Sequence, residues 1–167
     1  MVQQLNAIAV FSPKCSPISG YVKFHQCNTH QNALVQFSLK GLPSNSVLGC
    51  HIHKYGITSL TDPCGSTCDH YNPFNTLHGS QKLYGNDRHA GDLINNIQSD
   101  SNGEFNFSYE DPLLFNIKDI LGRSVVIHSG IDDLGINRTF DKGSATTGNA
   151  GGRIACSVIG LNGGACV

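Results

Sequence analysis

The chain has no tryptophan, one methionine and only 14% charged residues among its 167 positions. Lysine plus arginine number 11 against 12 aspartates and glutamates, a net charge of −1. That balance supplies neither the basic footprint of a nucleic-acid binder nor an acidic tail. No apolar stretch approaches the ~18 residues of a membrane span. Met1-Val2-Gln3-Gln4-Leu5 lacks the basic segment and long apolar core of a signal peptide. The chain is therefore expected to be soluble and cytoplasmic, with no nucleic-acid or membrane partner. Without secretion, the glycosylation patterns Asn106-Phe107-Ser108 and Asn137-Arg138-Thr139 are read as chance. No repeat or low-complexity linker divides the chain, and its length suits a single domain over residues 1–167.

What is present in quantity is glycine, 19 residues, between short apolar runs, which favours an all-β chain. Strands are expected over residues 5–11 and 20–25, separated by Ser12-Pro13 and Ser16-Pro17. Ala33 to Leu39 alternates apolar and less apolar side chains, as a half-buried antiparallel strand does. Further strands are expected over Leu48–Tyr55, Asp92–Ser99, Glu104–Glu110, Arg123–Ser129 and Arg153–Gly160. Residues 100–103 form a turn that makes the 92–99 and 104–110 strands partners. Eight antiparallel strands with long excursions at about 56–91 and 129–152 point to a flattened Greek-key β-barrel or sandwich with its site outside the barrel wall.

Five of the eight histidines fall between residues 51 and 92. On a strand, His51 and His53 share one face with ~6.5–7 Å between Cα atoms, so both rings can reach one ion. His70, His78 and His89 cannot share that strand, because Asp62-Pro63, Asn72-Pro73, Gly79 and Gly85 break regular structure. They lie on a long loop, which a metal would order. An isolated histidine is more often structural or solvated than a ligand. Here the imidazoles, with Asp92 and a distant His128 on a Val-Val-Ile-His strand, divide into a mostly histidine set suited to copper and a His/His/His/Asp set suited to zinc.

At this point the chain resembles the copper/zinc superoxide dismutase family. The resemblance rests on Gly-Cys-His-Ile-His-Lys-Tyr-Gly (49–56), Asp-His-Tyr-Asn-Pro (69–73), Arg-His-Ala-Gly-Asp-Leu (88–93), Val-Ile-His-Ser-Gly-Ile-Asp-Asp-Leu-Gly (126–135) and Gly-Asn-Ala-Gly-Gly-Arg-Ile-Ala-Cys (148–156). It implies copper on His51, His53, His70 and His128, zinc on His70, His78, His89 and Asp92, and His70 shared between them. The implied reaction converts two superoxide radicals to dioxygen and hydrogen peroxide by copper redox cycling, with protons passing partly through His70. Asp132 takes the position whose carboxylate links a copper histidine to a zinc histidine, and Arg153 that of an anion-guiding arginine. A homodimer, through Val158–Leu161 and the strand around Gly49–His51, and a copper-delivery partner are implied as well. A delivery or scaffold domain of the same fold is the alternative. It could lack some copper ligands or Arg153, all of which are present. A zinc-only module leaves His51, His53 and His128 without a purpose.

The resemblance also implies a disulfide between Cys64 and Cys156. In the chain-entropy model, closing that loop is worth roughly 4–5 kcal/mol. Cys15, Cys27, Cys50, Cys68 and Cys166 have no role to transfer. Cys68 is read as a free thiol, with a stray ligand or an alternative partner for Cys64 as the other readings, and Cys27-x-x-His30 as solvated loop. The intervals from His53 to Cys64 and from His78 to His89 are longer than usual. Between Gly135 and Thr147, Thr146 stands where a lysine is common, and Arg138, Asp141 and Lys142 carry the nearby charge, so anion steering is expected to differ. These departures are similar to members carried by large DNA viruses, implying host cytoplasm or virion.

Overall fold

The computed structural model describes residues 5–14, 16–27, 32–114 and 116–163. Eight strands form one antiparallel sheet: β1 (Leu5–Phe11), β2 (Ser19–Gln26), β3 (Ala33–Lys40), β4 (Val47–His53), β5 (Asn96–Gln98), β6 (Phe105–Asp111), β7 (Ser124–His128) and β8 (Arg153–Leu161). Their spatial order is β5-β4-β7-β8-β1-β2-β3-β6. The two outermost strands are consecutive in the chain and joined by the 99–104 turn, so the sheet curls into a nearly closed barrel. In that turn Asp100 N donates to Glu104 O at 2.9 Å, and Gly103 takes φ +73°.

Alternation decides which side chains fill the barrel. Ala7, Ala9, Phe11, Val22, Phe24, Val35, Phe37 and Leu39 all belong to one buried apolar cluster, while their neighbours in sequence face out. β4 and β7 differ, because they are buried on both faces. Cys50, Ile52, Val125 and Ile127 join the core, which turns His51, His53 and His128 to the outer face. There the excursion loops cover them. β7 meets β8 with a register shift that leaves His128 opposite Arg153, a bulge of the kind that re-aims a side chain beside a site.

Two expectations need correction. Asp92–Ser99 is not a continuous strand: Ala90–Asp92 is a 3-10 turn, and only Asn96–Gln98 is extended. Leu93 (φ +50°) and Asn95 (φ +62°) take left-handed conformations that interrupt pairing. Nor do β5 and β6 pair with each other. The turn forms, but β5 adds to β4 and β6 to β3, which places the turn at the barrel's closure.

The long loop is tied down by the protein itself. Lys54 N donates to Asp69 O (2.8 Å), Tyr55 N to Thr67 O (3.0 Å), Tyr71 N to Ile52 O (2.8 Å) and Gly91 N to Tyr71 O (2.8 Å). These bonds run the loop back along β4, and His70 pairs with His53 in an isolated bridge. Two short helices also form where loop was expected. α1 (Gln81–Tyr84) is capped by Ser80, whose Oγ accepts from Leu83 N, and α2 (Lys142–Thr146) by Asp141, which accepts from Gly143 N and Ser144 N. Among the described residues no helix is long and apolar enough to cross a membrane.

Candidate metal centre

Two clusters of buried donors share His70. In one, His51, His53, His70 and His128 bring a ring nitrogen each to within 4.8 Å of one another. In the other, ring nitrogens of His70, His78 and His89 and a carboxylate oxygen of Asp92 lie equally close together.

The tautomer of each ring follows from the partner on its far side. His51 Nε2 donates to Asp132 Oδ2 (2.6 Å), which leaves Nδ1 bare, and that Nδ1 is buried without a partner. His53 Nδ1 donates to Cys68 O (2.6 Å) and His128 Nδ1 to Gly151 O (3.1 Å), so the two bare Nε2 atoms face each other at 3.2 Å. His70 Nε2 is likewise buried and unpartnered. Four lone pairs pointing at one place with no proton between them form a cavity for a cation. The chemistry of the set fits copper, which accepts imidazole readily.

On the other side of His70, Asp92 Oδ1 lies 2.9 Å from His70 Nδ1, 2.9 Å from His78 Nδ1 and 3.2 Å from His89 Nδ1. The His89 nitrogen makes no hydrogen bond there despite its burial. Asp92 Oδ2 is held by the backbone N–H groups of Gly79 (3.0 Å) and His89 (3.1 Å). Three imidazoles and a carboxylate are a complete tetrahedral zinc set. His70 thus presents one ring nitrogen to each cluster.

Charge follows burial and carboxylates. Burial holds His51 and His53 below the ordinary histidine range. It also lowers His128 to about 4 and, helped by nearby His51, His70 to about 3. His78 differs: burial opposes its charge, but hydrogen bonds to Asp132 and Asp92 raise it to about 9. Burial works against both carboxylates too. Hydrogen bonds from His70 and His78 outweigh it and keep Asp92 ionised, and His51 and His78 do the same for Asp132.

The family model described as copper/zinc superoxide dismutase matches residues 18–159. This chain belongs to the copper/zinc superoxide dismutase family. Among curated relatives, "Superoxide dismutase [Cu-Zn]" of Saccharomyces cerevisiae is 40% identical over 159 residues, covering 94% of this chain and 98% of the relative. The superoxide dismutase of Paramecium bursaria Chlorella virus 1 is also 40% identical, over 96% of this chain and 80% of the relative. An extracellular superoxide dismutase of Schistosoma mansoni is 42% identical over 93% and 79%. The solved structure of the clock protein EA4 superposes with a TM-score of 0.80 at 36% identity, covering 97% of this chain and 98% of that one.

The remaining residues singled out as a superoxide dismutase site fall around these clusters. Asp132 bridges them, 2.6 Å from His51 and 3.0 Å from His78. Arg153 is threaded into the loop: Nη1 donates to Cys64 O (2.7 Å) and Gly65 O (3.1 Å), and Nη2 to Cys68 O (2.7 Å). Its charge contributes to lowering both His53 and His128. Cys64 and Cys156 form the disulfide, closing 92 residues of sequence. Cys27, Cys50 and Cys68 are free thiols, and burial pushes the Cys50 thiol up to about 12. Cys15, His30 and Cys166 lie outside the described residues.

The charges near Thr146 are mostly committed. Arg138 lies over the Tyr84 ring at 3.5 Å and donates to the backbone of Asp87 at 2.7 Å and to its carboxylate. It therefore ties the two excursion loops together. Asp141 is engaged at the α2 cap, and Thr146 Oγ1 turns back to Lys142 O (2.8 Å).

Sequence reasoning missed two contributors. Asn95 is buried and donates to Asp132 Oδ2 (3.3 Å) and Gly79 O (3.1 Å). Gly148 (φ +62°) approaches so closely that a Cβ there meets Asp132 and His78 Nε2 at 2.5 Å. Neither carries a ligand-like spacing, although an asparagine just after Asp92-Leu93-Ile94 is a residue type that tolerates the left-handed turn.

Proposed function

We propose that this chain is a superoxide dismutase, converting two superoxide radicals to dioxygen and hydrogen peroxide. The observation that carries this reading is the group of bare, buried nitrogens on His51, His53, His70 and His128. His51 Nδ1 and His70 Nε2 have no protein partner, and unsatisfied buried groups of this kind are costly unless something fills the space. In this reading those four residues hold copper, while His70, His78, His89 and Asp92 hold zinc. Copper supplies one-electron exchange in both directions; zinc, which has no second oxidation state, supplies charge and geometry.

The protein's own groups do the rest. Arg153 binds and orients the incoming anion with a guanidinium held in place by three loop carbonyls. His70 Nε2 is the atom at which a proton is held for the peroxide product. Asp132 binds one nitrogen of His51 and one of His78, which turns the other nitrogen of each ring inward. The disulfide keeps the carbonyls that grip Arg153 attached to β8.

We further propose that the chain acts as one domain, in the cytoplasm, as a homodimer that receives copper from a delivery partner. Gly49, Cys50 and His51 are buried within the chain and add no support for the contact expected around them. Exposed apolar residues Ile57 (37%), Val158 (40%) and Leu161 (63%) support a dimer contact along the outer face of β8.

The test is to measure copper and zinc per chain, then superoxide removal with and without cyanide. The expected result is one of each metal and cyanide-sensitive activity. A chain that stays inactive after copper loading sinks the enzymatic reading.

A further inference from the structure

Away from the metal centre, the edge of the barrel between β1 and β2 lines up an amide, an imidazole and a thiol. The strand register sets Asn6 directly opposite His25, so both side chains leave the same face of the sheet. Cys27 follows two residues later and returns to that face. His25 Nδ1 lies 2.5 Å from Asn6 Oδ1, and His25 Nε2 lies 3.3 Å from Cys27 Sγ. A carbonyl oxygen can only accept, so Nδ1 carries the proton and the Nε2 lone pair faces the thiol. Nucleophile, base and orienting group within hydrogen-bond reach are the arrangement that activates a nucleophile. Cys27 is exposed to solvent, whereas Cys50 is buried and Cys68 half-buried.

We propose that Cys27 is a peroxide-reactive thiol, a modification site in which His25 takes the thiol proton and Asn6 fixes the ring. The chemical class of the oxidant follows from the surroundings. Cys27 is open to solvent beside the half-buried Asn6 and His25, and a small hydroperoxide can reach it without a shaped cleft. The supply of hydrogen peroxide rests on the dismutase reading above; the reactivity of the thiol does not. In the step, the sulfur attacks one peroxide oxygen, an S–O bond forms and the O–O bond breaks. The leaving hydroxide takes the proton that His25 accepted and departs as water. Sulfur is oxidised by two electrons to the sulfenic acid, and the peroxide is reduced by two.

The test uses the metal-loaded chain, added hydrogen peroxide and dimedone to trap sulfenic acid, with the label read at Cys27, Cys50 and Cys68 separately by peptide mass spectrometry. Cys27 is expected to label fastest, at least ~10-fold faster than in His25→Gln, with Asn6→Ala in between. Cys27→Ser should abolish the adduct on that peptide and leave superoxide removal unchanged, which also shows that the fold is intact. Labelling of His25→Gln at the unsubstituted rate, or of Cys27 no faster than Cys68, would overturn the proposal. Because the peroxide is added, both results stay readable even in a chain that removes no superoxide.

Discussion

The two sides of His70 are built from nearly the same ligand type and are held by opposite means. On the His51/His53/His128 side there is no carboxylate among the donors. The rings sit on strands or beside them, and every fixing bond is made by the outward nitrogen to Asp132 or to a carbonyl. On the His78/His89 side the donors come from loop, and Asp92 gathers three ring nitrogens around one oxygen. Each ring of the first pocket is oriented from outside by a protein acceptor. The second is gathered around the Asp92 carboxylate. In the proposed reading, the first arrangement serves the ion that changes state and the second the ion that stays put.

That contrast is sharpest when single donors are removed. His53→Ala is expected to abolish superoxide removal while zinc content stays near one per chain. Asp92→Ala should lose zinc first and loosen residues 70–91, seen as faster amide exchange there. If both variants lose both metals equally, the two pockets are not separable as described.

Asp132 touches both sides, so Asp132→Asn should blur the contrast. It keeps the shape but offers an N–H where an acceptor is needed. Metal affinity or activity is expected to fall ~10- to 100-fold, measured by competition with a chelator and by superoxide consumption. Arg153→Lys should have a smaller effect, roughly a few-fold in rate. It keeps the charge that draws in an anion but loses the planar fork that grips three carbonyls. Its rate should still fall with added salt, whereas Arg153→Gln should flatten that dependence.

The smallest expected effect is on acid stability of the metal-stripped chain. His128 at about 4 and His70 at about 3 lie below the ordinary 6.5. Below 6.5 the unfolded chain therefore takes up protons that the folded chain refuses. Stability present above pH 6.5 is lost as pH falls toward 4. His78, raised to about 9, adds stability fully present below 6.5 and lost as pH rises through 9, so it cannot offset the acid loss. Thermal midpoints at pH 7, 5.5 and 4.5 should decline in that order without metal, and a flat profile would contradict the buried, neutral state assigned to these rings.

Much of the site was legible because metal donors are few and their residue types are distinctive. His51 and His53 two apart on a strand, and His89 three before Asp92, carry their meaning in spacing. The strand over Asp92–Ser99 was misread because Leu93 and Asn95 take left-handed conformations that an apolar pattern does not reveal. Asn95 and Gly148 were passed over because their role is to fit against Asp132, a contact between segments far apart in the chain. Arg138 was legible only as a charge near Thr146, and its contacts with Asp87 and Tyr84 exist only in the fold.

Residue order alone determined the donor inventory, the family and the eight-stranded all-β plan, since these depend on side-chain type and local alternation. Which nitrogen of each ring points inward was decided only by the folded chain. That choice is made by the carboxylate of Asp132 and the carbonyls of Cys68 and Gly151, each brought to its imidazole from a distant stretch, and a hydrogen bond of that kind exists only once both stretches are in place.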